Sequence, residues 1–173
     1  MKLGFIGGLL PGSPSPDRIY FRVVNQAYAS TIDDIGPSFI YGGRYNLRNE
    51  FGVLYLSSSQ DCAVMEKLRQ VKGRKDNLLP QIVADFHVKI QKCLDLLSRD
   101  TLEILGISRE DLVRDSDFSV PQGISREARN VGFEALIAPS AVGESTLVVF
   151  KDKLFPPSFC VLNPKSVKLY SIG

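Results

Sequence analysis

The stretch from Tyr41 to Glu66 constrains this chain more than any other. A Gly-Gly-Arg loop, Tyr41-Gly42-Gly43-Arg44-Tyr45-Asn46, leads into an alternating strand, Val53-Leu54-Tyr55-Leu56-Ser57, and then into a helix that carries Glu66. Glycines ahead of a cation let the backbone approach a ligand closely, because glycine has no Cβ and tolerates positive φ. An ordinary β-turn with a surface arginine is the alternative, and the loop alone leaves both open. Strand alternation puts Val53, Tyr55 and Ser57 on one face and Leu54 and Leu56 on the other. Tyr55 is then either a core tyrosine with a satisfied hydroxyl or a ring presented to a ligand. Ser58-x-x-Asp61 resembles a capping box and predicts a helix over residues 61–71. On that helix Glu66 falls between Cys62 and Ala63, a carboxylate bordered by small apolar groups. A solvated glutamate pairing with Gln70, Lys67 or Arg69 is the default for such a residue.

The rest of the chain supplies the frame. Ile19-Tyr20-Phe21-Arg22-Val23-Val24 reads as a strand, with Arg22 either turned to water on a sheet edge or serving as a second ligand cation. Residues 81–88 form a further strand in which Asp85, His87 and Lys89 share one face. Asp100 as N-cap and Ser108-x-x-Asp111 as a capping box signal two short helices. A third opens at Ser119-Val120-Pro121 and stops at Gly132. Phe133 to Ala138 is a strand broken by Pro139, with Ser140 and Ala141 at its end, and residues 146–150 and 166–172 are two more. The fold class is α+β, a compact β-sheet core with inserted helices. At 173 residues the chain makes one domain. Its expected bounds are 18–173, behind an N-terminal linker of residues 1–17 that ends in a Pro/Ser-rich run.

A formal net charge of +2 leaves no footprint for nucleic acid, and the charged segment 71–80 lacks the aromatic residues that would stack on bases. Cys62, Cys93 and Cys160 are odd in number and widely spaced, which predicts free thiols in a reducing compartment. His87 is the one histidine, so no zinc cluster is expected, and it reads as a strand-face residue rather than a catalytic one. The apolar start, Met1 to Leu10, has one charged side chain, helix-weakening Gly4, Gly7 and Gly8 and no small-residue cleavage site, and no apolar stretch is long enough to span a bilayer. The expected location is cytoplasmic.

Taken together, Arg22 in a leading strand, Gly42-Gly43-Arg44-Tyr45-Asn46, Val53 to Ser57, Glu66 in the next helix, and the distal Ala138-Pro139-Ser140-Ala141 with Leu147-Val148-Val149-Phe150 resemble the RES domain family over residues 18–150. These are toxins of bacterial toxin–antitoxin pairs, similar in fold to ADP-ribosyltransferases, whose characterised members consume NAD⁺. The resemblance implies that Glu66, Arg44, Tyr55 and Ser140 are catalytic and that Arg44, Tyr55, Arg22, Gly43 and Ser140 contact NAD⁺. It also implies a helix-turn-helix antitoxin of Xre type as partner. The chain departs from the family at three points: Tyr45 stands where tryptophan is usual, Ser145 where asparagine is common, and the loop from Asn46 to Gly52 is longer by one residue, which bears on the pocket's rim.

On that reading each part of NAD⁺ has a partner. Arg44 presents a planar fork suited to the diphosphate. Tyr55 stacks on the cationic nicotinamide. Glu66 holds a ribose hydroxyl and stabilises the oxocarbenium-like centre as the bond breaks, as carboxylates do in glycoside cleavage. Nicotinamide leaves neutral, so no general acid is required. Ser140 orients the nicotinamide ribose or amide and is not a nucleophile, since no base stands in its motif. The implied reaction is transfer of ADP-ribose to water or phosphate. Transfer to a protein, and a binding module without turnover, are the alternatives.

Overall fold

The computed structural model describes residues 1–11, 16–72 and 79–170. Eight strands form one sheet: β1 (Asp17–Asn25), β2 (Leu54–Ser57), β3 (Gln81–Lys89), β4 (Cys93–Asp95), β5 (Ala135–Pro139), β6 (Ser145–Val149), β7 (Phe159–Leu162) and β8 (Lys168–Tyr170). Their order is β4-β5-β6-β2-β1-β3, with β7 and β8 dividing the outer edge of β3 between them. The β4–β5 pair is parallel and every other pair antiparallel. The fold is α+β, a β-sheet core with inserted helices, as the sequence analysis expects.

Alternation sorts the strand residues onto two faces. Val148, Leu136 and Ala138 point to one apolar cluster, with Val53 and Tyr55 beside them, while Leu54, Leu56, Leu147 and Val149 point to the other. The first cluster is roofed by the helices α3 (Arg99–Leu105), α4 (Arg109–Val113) and α5 (Ser119–Asn130), which bury Leu105, Leu112, Ile124 and Ala128. The N-terminal segment joins this roof. Ile6 is fully buried, and the Lys2 amide donates to the Leu105 carbonyl at 2.9 Å. Residues 3–8 thus pack as part of the body, although they were expected to lie outside it; residues 12–15 of the Pro/Ser run lie outside the described residues.

The seam between β1 and β2 decides where a ligand can enter. Every residue of β1 pairs with β3 and every residue of β2 with β6, yet β1 and β2 meet at one position, Phe21 opposite Ser57. Beyond it the strands diverge, and α2 (Gln60–Gln70) lies against the opening.

Several local expectations shift by a residue or two for visible reasons. The N-cap of α2 is Ser59, whose hydroxyl accepts from the Cys62 amide at 3.1 Å, because Ser58 is turned away to donate to Glu144 at 2.9 Å. Ser98, not Asp100, caps α3 through the Thr101 amide, whereas the Ser108–Asp111 capping box forms as expected. Strands β4 and β7, of three and four residues, are additions to the expected strands. The last strand, expected over 166–172, begins at Lys168, because residues 164–166 form a 3-10 turn; residues 171–173 and 73–78 lie outside the described residues.

Cys62, Cys93 and Cys160 are free, and burial pushes the Cys93 and Cys160 thiols up to about 12, which keeps them protonated and unreactive at neutral pH. His87 sits exposed on β3, 3.2 Å from Asp17 and edge-on to the Phe159 ring. Among the described residues no group of ligand side chains could hold a metal ion, and no helix is long and apolar enough to cross a membrane.

Candidate functional site

A cleft of about 480 Å³ occupies the opening of the β1–β2 seam. It is walled by Phe21 to Val24 of β1, Tyr55 and Ser57 of β2, the Gly42–Tyr45 loop, one face of α2, and the end of β5 at Pro139 to Ala141. All six residues singled out in the sequence, Arg22, Gly43, Arg44, Tyr55, Glu66 and Ser140, line it.

The loop is held by a small buried network centred on Asn46. Helix α1 (Gly36–Tyr41) ends at Gly42, whose φ of +70° suits glycine and which donates to the Ser38 carbonyl. The chain then doubles back, with Gly43 and Asn46 bridged to each other. Fully buried Asn46 donates to the Ser38 and Phe51 carbonyls at 2.8 and 3.0 Å and accepts from the Tyr55 hydroxyl at 2.8 Å. That hydroxyl in turn accepts from the Tyr45 amide at 2.9 Å. A Cβ on Gly43 would meet the Tyr55 oxygen at 2.6 Å, so glycine is needed here for an internal close approach.

Tyr55 therefore does two things: its hydroxyl fixes the loop while its ring lines the cleft. Burial raises its pKa, which keeps the hydroxyl a donor. Tyr55→Phe leaves the Tyr45 amide and the Asn46 oxygen each short of a partner. The expected loss is about 1–3 kcal/mol of stability, measured by urea unfolding.

Glu66 is held from two sides. One carboxylate oxygen accepts from the Ser140 hydroxyl at 2.5 Å, and the other from Nε and Nη2 of Arg69, both at 3.2 Å. Ser140, almost fully buried, also accepts from the Val142 amide at 3.1 Å. Its observed partner is thus the carboxylate. Arg69 follows from helical spacing, one turn after Glu66, but its second partner does not. Nη1 of Arg69 and Nη2 of Arg44 both donate to one oxygen of Asp115, each at 2.6 Å. These bonds, Arg69's first and Arg44's next, hold the exposed Asp115 carboxyl below the usual carboxylate range.

Arg44 is not an unoccupied fork. Its Nη1 donates to the Leu112 and Arg114 carbonyls at 3.1 and 2.6 Å, and its guanidinium lies 4.6 Å from the Phe118 ring centroid. It ties the Gly-Gly loop to the α4–α5 connection, a role invisible in the sequence because Asp115 lies 71 positions away.

Arg22 overturns the edge-strand reading. Its strand is interior to the sheet, its Nη1 is buried with no hydrogen-bond partner, and burial, only partly offset by Asp33 and Asp34, lowers its pKa. The loop after Asn46, expected to shape the rim, turns away instead: none of residues 47–52 lines the cleft. Gly52 is packed so tightly on Ile35 that a Cβ there would meet its carbonyl at 2.6 Å. Tyr45 fills the core, 1% exposed, and also reaches the cleft wall.

Among the described residues the cleft lining carries four cations, Arg22, Arg44, Lys67 and Arg69, against one carboxylate, Glu66. Such a concave, positive surface favours an anionic ligand. It places one carboxylate, fixed by a serine and an arginine, among them.

The RES domain model matches residues 18–158. No curated protein matches the chain. Among solved structures it is similar to a chain of the M. tuberculosis MbcT–MbcA toxin–antitoxin complex, with a TM-score of 0.73 at 19% identity, covering 86% of this chain and 82% of that one.

Proposed function

Since the chain belongs to the RES domain family, we propose that it is the toxin of a toxin–antitoxin pair and consumes NAD⁺, cleaving the nicotinamide–ribose bond and passing ADP-ribose to water or phosphate. The observation that carries this reading is the isolated carboxylate of Glu66 in a cleft with four cations, clamped between Ser140 and Arg69. A diphosphate meets the cations. The ribosyl centre, positive as nicotinamide departs, meets Glu66. Stabilising charge that develops in the transition state is the largest lever such a site has, because the groups are already oriented when the bond breaks. Ser140 acts through Glu66 as a positioning residue, since its hydroxyl proton is directed at the carboxylate.

Tyr55 offers its ring to the nicotinamide from the cleft wall, worth about 0.5–2 kcal/mol for a cation on an aromatic face. Arg44 keeps Nε free of the contacts made by Nη1 and Nη2 and holds the loop that carries Gly43. Product analysis of purified protein mixed with NAD⁺, with and without phosphate, tests the reading. Free nicotinamide with ADP-ribose, or with ADP-ribose phosphate when phosphate is present, is the expected result. Label appearing on protein would make it a protein ADP-ribosyltransferase, and no nicotinamide under any acceptor would reject the activity. The structural likeness to a toxin–antitoxin complex supports an antitoxin partner, and the family resemblance implies that it is of helix-turn-helix type.

A further inference from the structure

Two of the four cleft cations are already neutralised and two are not. Arg44 and Arg69 share Asp115, and Arg69 also holds Glu66. Arg22 and Lys67 have no such partner: among the described residues neither side chain forms an ion pair, and Nη1 of Arg22 is buried without any hydrogen bond. Asp33 and Asp34 act on Arg22 only from beyond ion-pair distance. The two cations stand on elements packed against each other, β1 and α2, and both reach the cleft. Lys67 is half-buried, and burial followed by the charge of Arg22 pulls its pKa down. Two partly desolvated like charges facing one cavity cost stability unless an anion joins them.

We infer that Lys67 and Arg22 form a phosphate-binding subsite of the cleft, next to Glu66 and separate from the Arg44–Asp115–Arg69 cluster. Lys67 and Glu66 both line the cleft, so a phosphate held there shares the cavity with the carboxylate assigned to the ribosyl centre. The ligand chemistry is a phosphate-bearing anion, supplied by the diphosphate of a dinucleotide or by free inorganic phosphate. The inference rests on reading the cleft as the ligand site, but its test needs no turnover.

Calorimetric titrations of the full chain with pyrophosphate, ADP-ribose and inorganic phosphate carry that test. Replacing a charged donor to an anion costs about ten- to a hundredfold in affinity, so Lys67→Met is expected to weaken pyrophosphate binding by that factor. Lys67→Arg, which keeps the charge, is expected to stay close to the parent. Because Lys67 lacks a partner, Lys67→Met should also leave Tm unchanged or raise it. A loss confined to ADP-ribose assigns the subsite to the dinucleotide's diphosphate, and a loss confined to inorganic phosphate assigns it to the acceptor. Equal binding by parent and Lys67→Met for all three ligands overturns the inference, as does a large drop in Tm that would make Lys67 structural. Lys67-dependent binding without nicotinamide release removes the proposed activity and keeps the subsite. Nicotinamide release with unaltered binding in Lys67→Met does the reverse.

Discussion

Glu66→Gln is expected to lower nicotinamide release from NAD⁺ by about a hundred- to a thousandfold, the range for losing one preorganised electrostatic group, while the protein stays folded. The substitution isolates charge from shape. A glutamine oxygen still accepts from the Ser140 hydroxyl, so the side chain keeps the anchor that now holds one carboxylate oxygen. What disappears is the negative charge facing the cleft and, because an amide NH2 then stands where the second oxygen accepted, both hydrogen bonds from Arg69. Arg69 retains its bond to Asp115 and has no reason to leave its place. The partly exposed, one-turn Glu66–Arg69 pair contributes about 0–1 kcal/mol to stability, so Tm should move little. Initial rates of nicotinamide release, compared with thermal melts of both proteins, check the prediction. A Glu66→Gln protein with parental rates would remove Glu66 from the chemistry.

The largest structural loss is expected at Asn46. Asn46→Ala deletes three hydrogen bonds at a fully buried position and leaves the Phe51 carbonyl without the donor it has now, and the Tyr55 hydroxyl without its acceptor. The Ser38 carbonyl suffers less, because it also accepts from the Gly42 amide at 2.8 Å. With about 1–3 kcal/mol for each buried group left unsatisfied, the expected destabilisation is about 2–4 kcal/mol, read as a shift of the urea midpoint at constant slope. Asn46→Ala and Tyr55→Phe break the same bond, so their combined cost should fall short of the sum. A fully additive double variant would show that the two residues act independently. Activity should fall with either, since the network positions the Gly42–Tyr45 wall of the cleft.

Much of the local structure was legible because it depends on short-range chemistry. The alternation of Val53 to Ser57 placed Leu54 and Leu56 opposite Tyr55, and the sheet puts them in different apolar clusters. The Ser108–Asp111 capping box and the Gly132 helix stop rest on interactions spanning a few residues, and both appear where the spacing put them. The six residues chosen by chemistry and family order share one cleft. Errors arose where a neighbour far along the chain competed. Ser58 met Glu144, so the cap passed to Ser59. Arg22 read as an edge residue because strand order is not a local property.

The sequence by itself therefore determined the residue types at the site: an arginine after two glycines, a strand tyrosine, a helix carboxylate and a serine at a strand end. It also determined that Tyr55 lies on the strand face opposite Leu54 and Leu56, since successive strand residues alternate. Only the tertiary structure decided their partners. The one-residue contact of β1 with β2 opens the cleft, and Asp115 arrives from a remote loop to occupy Arg44 and Arg69. The Gly-Gly pair proved necessary for the Tyr55 hydroxyl, whatever ligand approaches it. Hydrogen-bond and ion-pair partners depend on which distant segments meet, and that is set by the packing of the whole sheet and its helices, not by spacing along the chain.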